Sequence, residues 1–380
     1  MRHRSIFHHL KFLVVLCLGL TAGVLIGGVY YINQSGINDQ WRERIAIELE
    51  NLGVIADFES LRFEITKGLV AKGVRIYADE KREDVIAKLE HLVIDVDKTK
   101  LLRGKIRVNN IALKQADIAL PVDPGNPKGK LITINDLQGE MYLPDKNTVE
   151  AREIKGLLAG VHITVDARLW SETANQDSTT PDLKKKRTER LKFISKILEE
   201  LEQWQWPTDT PPNIKLYIEA NTDKPETARL DFIVQAPEIT RNGSTIYDVK
   251  IAGDYNNQII TLDKISLRDS AGKLKSKASY HPATKTAKFE AQSTLHLQML
   301  CRQLFGISVM NQLTFSTPPA ISCTGTVRLS SGSPTETMIT GQISVSDFSF
   351  LGSRFEKLET DFSSHNRDVF LTRLHATHSK

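Results

Sequence analysis

Apolar residues recur at every second position along most of this chain from residue 54 onward. Leu92, Ile94 and Val96 form one such run, and the residues from Val161 to Leu169 form a longer one. Successive side chains of a β-strand point to opposite faces of its sheet, so a period of two predicts strands with one apolar face. Turn signals such as Asn242-Gly243 separate the runs. The pattern predicts a mainly β fold with minor α, built on a long, curved and mostly antiparallel sheet.

The alternation slips by one residue at Asn109-Asn110, after which the apolar row resumes at Ile111 and Leu113. An extra residue in one strand of a pair leaves this signature, because it moves every later side chain to the other face. The sequence therefore predicts a β-bulge at this point.

Two helices are predicted to interrupt the sheet. The first runs from Leu183 to Trp206, between two prolines, with lysines at its start and glutamates at its end. This order of charges is opposite to the macrodipole preference. It leaves two interpretations open: docking on an acidic partner or lipid headgroups, or a solvated face of a helix packed at a sheet edge. The second helix, residues 293–305, is expected to be a short connector.

The segment from Phe12 to Ile32 contains no charged side chain over 21 residues. At about 1.5 Å per residue it is long enough to cross a hydrocarbon core of about 30 Å. Arg2, Arg4 and Lys11 precede it, so the positive-inside rule places the N-terminus in the cytoplasm. The alternative is a cleaved signal peptide, which would have a shorter apolar core. The expectation is a single-pass transmembrane helix with the body of the chain on the far side.

A short amphipathic collar helix is expected after this anchor, because Trp41, Ile45 and Leu49 recur at helical spacing. Further on, residues 171–180 are polar and lack periodicity, which favours a loop between two β regions. The expected segments are a cytoplasmic tail (1–11), the transmembrane anchor (12–32), the collar helix (33–53), an N-terminal β unit (54–170), a polar loop with the basic amphipathic helix (171–206), a second β unit (207–316) and a repeat unit, whether complete or incomplete (317–380).

Charge and cysteine content exclude several classes of protein. The formal net charge of +4 is mild for 380 residues and does not indicate a nucleic-acid surface. Three cysteines are too few for a disulfide scaffold. Cys17 lies in the anchor, and two alternatives stay open for the others: a bridge between Cys301 and Cys323, or a buried free thiol at Cys323.

No catalytic constellation has the spacing that its chemistry requires. The stretch from Gly125 to Lys130 has only three residues between its glycines, and Leu131 follows where a phosphate-binding loop needs Ser or Thr. Neither the histidines His281 and His296 nor the cysteines Cys301 and Cys323 are paired at the spacing of metal ligands. The sequence therefore predicts a protein that is not an enzyme and needs no cofactor or metal.

A long sheet with one apolar face has to close, stack or bind something apolar, because wet apolar surface costs about 25 cal/mol per Å². Two architectures follow: a sheet curled into a groove that holds acyl chains, and a β-sandwich or barrel packed with its own side chains. In a groove, aspartate at Ile94 or Ile163 is expected to abolish lipid loading without unfolding. The candidate lipid-facing residues are Leu61, Phe63, Leu92, Ile94, Val96, Ile106, Val108, Val161, Ile163 and Val165.

Three stretches resemble one known family. The first is the order of anchor, collar helix and opening strands through Val122, with a Leu-Leu-x-Gly-x-Ile turn at Leu101 to Ile106. The second is TPPAISCTGTVRL at 317–329, which is similar to a Pro-Pro-x-Ile-x-x-x-Gly step between repeats. The third is residues 341–380, which look like one repeat unit. In these features the chain resembles the AsmA-like envelope proteins, a family that includes TamB and YhdP.

The resemblance implies a protein anchored in the inner membrane, with its body in the periplasm, that conducts phospholipids along a hydrophobic β-groove in outer-membrane biogenesis. It implies phospholipids, the inner membrane and other envelope proteins as partners, and no catalytic residue. A second hypothesis stays open: a structural or adaptor protein with a closed β core that recruits other envelope components.

Overall fold

The computed structural model describes residues 39–51, 55–64, 68–77, 82, 85–97, 100, 107–121, 131–145, 147–172, 195–196, 198–296, 313–330, 333–350, 352–366 and 368–378. The chain divides into two compact units. Unit 1 comprises residues 1–121 and 127–146, and unit 2 comprises residues 122–126 and 147–380. The loop predicted at 171–180 between two β regions lies outside the described residues except for 171 and 172.

Unit 1 is an antiparallel sheet with one helix before it. Strand β3 pairs with β1, β2 and β4, and the order continues through β5 to β6. The elements are α1 (Asp39–Asn51), β1 (Ala56–Asp57), β2 (Ser60–Glu64), β3 (Gly68–Tyr77), β4 (Val85–Val96), β5 (Val108–Pro121) and β6 (Leu131–Asp145).

Helix α1 falls within the range predicted for the collar helix. Its side chains Ile45 and Leu49 are fully buried. They are four residues apart, so they lie on the same face of the helix. At its first turn Arg42 donates a hydrogen bond to the carbonyl oxygen of Glu59 at 3.0 Å. The helix is therefore part of the core of unit 1.

The β-bulge predicted at Asn109-Asn110 is confirmed. Asp95 pairs with Asn110 and Val96 pairs with Val108, so Asn109 is the extra residue. Its side chain also donates a hydrogen bond to the carboxylate of Asp95 at 3.4 Å.

Unit 2 is a longer sheet in which strands follow one another mostly in chain order. Every described pairing is antiparallel except that of β8 with β9, which is parallel. A parallel pair cannot be joined by a two-residue hairpin, and 42 residues separate these two strands in the sequence. β14 pairs directly with β16, and β15 pairs with β17. The strands are β7 (Thr148–Leu158), β8 (Val161–Trp170), β9 (Asn213–Asn221), β10 (Arg229–Arg241), β11 (Ser244–Asn256), β12 (Ile259–Arg268), β13 (Lys273–His281), β14 (Thr286–Ser293), β15 (Leu313–Phe315), β16 (Ala320–Ser330), β17 (Ser333–Phe350), β18 (Ser353–His365) and β19 (Asp368–His378).

The prediction of a mainly β, mostly antiparallel fold is confirmed, but β6, β7, β13 and the short strands β1 and β15 were not predicted. In β6 and β7 the register shifts opposite Ala116 and between Ala151 and Ile154, and each shift breaks the period of two. In β13 the small residues Ser276 and Ala278 stand between Leu274 and Tyr280 on the same side of the strand. These features weaken the apolar alternation on which the prediction rested.

The predicted helices are described only in part. Residues 195–196 and 198–201 are helical and are called the covering helix below. Ser293 ends strand β14 and residues 294–296 are not helical, whereas 297–305 lie outside the described residues. The anchor at 12–32 also lies outside them, and among the described helices none has the length and apolarity to cross a membrane.

Candidate functional site

One face of the unit 2 sheet carries apolar or small side chains in two adjacent rows, and is called the apolar face below. Each row runs from strand to strand through directly paired residues, and neither contains a charged side chain. The first row is Ile163, Ile214, Val234, Ile251, Ile265, Ser276, Ala291, Cys323, Gly341, Phe362 and Leu371. The second row is Ile154, Val165, Leu216, Phe232, Gly253, Leu262, Ala278, Phe289, Gly325, Ile339, Ser364 and Val369.

The side chains of both rows are only partly buried. From β8 to β18 every row residue is half-buried except Gly253, which is buried, and at β19 both Val369 and Leu371 are exposed. A sheet face that packs against a second layer has fully buried side chains. The apolar face is therefore accessible over most of its length.

Three phenylalanines lie opposite glycines on this face. Phe232 pairs with Gly253, Phe289 with Gly325 and Phe362 with Gly341. At the last two positions a Cβ on the glycine would lie 2.7 Å and 2.8 Å from the phenylalanine ring.

These rings therefore rest on the backbone of the neighbouring strand, an arrangement known to stabilise glycine in sheets. Isolated glycines within strands indicate the close approach of another group, but the phenylalanine partners become visible only with the register.

One margin of the apolar face is covered. Here Ala236, Ile246, Val249 and Leu295 form a buried cluster, with Trp204 packed against it. Leu198 of the covering helix is also buried, at 7% exposure. The cover extends over strands β10 to β13 and reaches Ile251 of the first row, which stays half-buried.

Arg241 of β10 links the covering helix to the sheet through side-chain contacts. Its guanidinium donates hydrogen bonds to the carboxylate of Glu200 at 2.5 Å and to the side-chain oxygen of Gln203. It also lies over the ring of Trp204, 5.3 Å from the centroid. Charge and ring contact together hold the end of the helix at the margin.

A buried carboxylate ties down the loop beside this margin. Asp269 is 3% exposed and accepts hydrogen bonds from the backbone N–H groups of Ala271, Gly272 and His296. These three bonds hold backbone segments in place, so Asp269 has a structural role.

Cys323 lies in the first row, between Ala291 and Gly341. It carries a free thiol, and burial raises the pKa of this thiol, because the charged thiolate is disfavoured away from water. Cys301, considered above as its bridging partner, lies outside the described residues. Cys323 therefore offers a chemical reporter within the apolar face.

The predicted lipid-facing residues fall into two groups. Ile163 and Val165 are half-buried members of the two rows. The residues Leu61, Leu92, Ile94, Val96 and Val108 of unit 1 and Val161 of unit 2 are at most 3% exposed. Buried side chains are not offered to a ligand, so the accessible surface lies at Ile163 and Val165 and beyond. Ile106 and the side chain of Phe63 lie outside the described part of the chain.

The described residues contain no group of three or more His, Cys, Asp or Glu side chains that could hold a metal ion. Comparisons with protein-family models, with curated proteins and with solved structures found no match to this chain. The resemblance to AsmA-like proteins therefore stays a prediction.

Proposed function

We propose that this chain is a non-enzymatic, membrane-anchored periplasmic protein that binds phospholipids and conducts them along the apolar face of unit 2. The observation that carries the proposal is the pair of uninterrupted rows, uncharged from strand to strand and half-buried rather than packed. The anchor at 12–32 belongs to the same proposal and rests on the sequence, whereas the periplasmic location rests on the resemblance to AsmA-like proteins.

The energetics favour acyl chains as the occupant. A fully buried Ile, Leu or Phe side chain gains about 1.5 to 3 kcal/mol, so a half-buried one leaves roughly 1 kcal/mol unrealised. An acyl chain that covers the rows gains about 0.8 kcal/mol for each methylene that it buries. A long, flexible, apolar ligand can recover both terms without a specific polar contact.

The length of the rows suits such a ligand. The first row makes ten steps between strands, which spans roughly 48 Å at about 4.8 Å per step. A whole hydrocarbon core is about 30 Å thick, so one acyl chain of a single leaflet measures roughly half of that. More than one lipid therefore fits along the rows, and movement from strand to strand meets no charged side chain.

The margin away from the covering helix suits lipid headgroups. Tyr255 of β11 and Tyr280 of β13 both lie opposite Ile260 of β12 at this margin. Tyrosine combines an apolar ring with a polar hydroxyl and favours places where one end is wet. In the proposed mechanism acyl chains slide along the rows while headgroups stay in water beside these hydroxyls.

The test is lipid extraction and mass spectrometry on the full chain purified from membranes without added lipid. Several phospholipid molecules per chain are expected for the wild type. Phe232→Asp, in the second row, is expected to remove most of them, whereas Asp231→Asn on the neighbouring residue is expected to retain them. Equal lipid content in the Phe232→Asp variant and the wild type would refute the proposal.

One observation favours the adaptor as a second candidate. Strand β19 exposes Val369, Phe370, Leu371 and Leu374 by 52% to 62%, and its only pairing among the described residues is with β18. Exposed apolar strands at a sheet edge are typical of sites that pair with another chain. A lipid-free wild-type protein that binds an envelope protein through β19 would favour this candidate over lipid conduction.

A further inference from the structure

The face of unit 2 opposite the apolar face is polar, and charges on it are usually balanced within a strand. Lys155 pairs with Glu153 at 3.0 Å on β7, and Lys357 pairs with Glu359 at 2.8 Å on β18. Members of each pair are two residues apart and therefore lie on the same side of the strand. On these two strands each lysine is therefore balanced by a glutamate of the same strand.

Strand β13 departs from this balance. Lys273, Lys275 and Lys277 occupy three successive positions of the polar face and are all exposed. Lys273 also lies directly opposite Arg268 of β12, and like charges at paired positions repel. Arg268 is itself hydrogen-bonded to Asp248, which lowers the pKa of that carboxyl.

Neighbouring strands extend the positive charge. Six exposed lysines lie on this face, and none forms an ion pair with another residue that the structure describes. They are called the lysine cluster: Lys250, Lys264, Lys273, Lys275, Lys277 and Lys288. All but Lys288 line an open concavity of about 760 Å³. Lys277 lies directly opposite Glu290 of β14, and Glu290, Asp248 and Asp263 also line the concavity. Positive side chains outnumber these carboxylates there, so the concavity keeps an excess of positive charge.

The choice of side chains indicates what kind of anion would compensate them. A single phosphate or carboxylate in a fixed geometry is typically held by the two-pronged guanidinium of arginine. Lysine is a mobile, hydrated point charge. No aromatic side chain lines the concavity, so nucleic-acid bases would find no stacking platform. Clusters of four to eight cations of this type fit the fluid phosphate surface of an anionic membrane.

We propose that the lysine cluster docks unit 2 on the surface of a bilayer rich in anionic phospholipid. The contact is electrostatic and lies on the polar face, so it does not depend on lipid binding by the apolar face. Each lysine at an anionic surface strengthens binding by roughly fivefold. Loss of three lysines therefore predicts roughly 100-fold weaker docking.

The test uses the full chain held in nanodiscs of phosphatidylcholine and immobilised on a sensor. Vesicles of phosphatidylcholine with one-third phosphatidylglycerol are passed over it, followed by vesicles of phosphatidylcholine alone. We expect capture of the anionic vesicles only, with loss at high salt, because added salt screens exposed charges. The variant K273Q/K275Q/K277Q is expected to lose this capture while its far-UV circular dichroism stays that of the wild type.

The matched control is K155Q/K224Q/K357Q, which makes the same change in net charge at lysines that already pair with glutamates. It is expected to capture anionic vesicles like the wild type. Equal losses in the two triple variants would overturn the proposal, as would equal capture of neutral vesicles or no capture by the wild type. Binding of polyglutamate without binding of anionic vesicles would also overturn it, because the partner would then be an acidic protein.

Discussion

The effect of a single aspartate on folding should show whether the apolar face is accessible to solvent or is part of a packed core. Ile163 is a half-buried member of the first row, between Gly156 of β7 and Ile214 of β9. Ile163→Asp removes about half of the burial energy of an isoleucine, roughly 1 kcal/mol, and the new carboxylate can stay hydrated. Unit 2 is therefore expected to remain folded.

The same substitution at Ile94 has a different expected result. Ile94 is fully buried, so Ile94→Asp loses about 1.5 to 3 kcal/mol of burial and also places an acid in an apolar core. The combined cost of roughly 5 kcal/mol or more is comparable to the whole stability of a domain, about 5 to 15 kcal/mol. Ile163→Asp is therefore expected to lose lipid without unfolding, as the sequence predicts. Ile94→Asp is expected to unfold unit 1, so the same prediction is wrong at Ile94.

Urea denaturation followed by circular dichroism measures the stability, and mass spectrometry of extracted lipid measures the loading. Ile163→Asp should lower lipid content at least about tenfold, because an acyl chain laid over the row would bury the carboxylate. His162→Asp adds the same charge one residue away, on the exposed polar face, and should leave both measurements unchanged. Unfolding of Ile163→Asp to the same extent as Ile94→Asp would refute the reasoning, because it would mean that the face is packed.

Three further predictions concern the parts that shape the apolar face. Gly341→Val should destabilise unit 2 by about 2 kcal/mol in urea denaturation, because the new Cβ would collide with the carbonyl oxygen of Ser322; an unchanged midpoint would contradict this. Arg241→Ala should release the covering helix by removing its bond to Glu200, and hydrogen exchange at residues 198–204 should accelerate while exchange in β16 to β18 does not. In a chain whose only cysteine is Cys323, alkylation should be slow at neutral pH and should quicken as pH rises, because burial raises the thiol pKa. Bound lipid should slow it further, and equal rates with and without lipid would speak against occupation of the first row.

The sequence was most informative where a strand has large apolar residues on one side only. Val161 to Leu169 alternates without interruption, and β8 forms there. The slip of the alternation at Asn109 could be recognised because large apolar residues flank it on both sides. In β13, by contrast, the inward positions include Ser276 and Ala278, so the alternation had too little contrast to be recognised.

The sequence predicts that the candidate site is an apolar face of a sheet, but it predicts only part of the location of that face. Alternation places Ile94 and Ile163 alike on an apolar side, yet one is fully buried and the other half-buried. The difference depends on what covers each face, and coverage is a tertiary property that periodicity does not encode. The Phe–Gly pairs and the lysine cluster likewise arise from register, which joins residues far apart in the sequence.

The most direct test of lipid binding is site-specific photocrosslinking in living cells grown with radiolabelled phosphate. A benzophenone amino acid replaces Phe232, which lies in the second row between Leu216 and Gly253, and in a second strain it replaces Asp231, which the strand geometry places on the other face. Lipid conduction along the apolar face predicts a radiolabelled phospholipid adduct at position 232 and none at 231. No adduct at either position, or equal adducts at both, would contradict it.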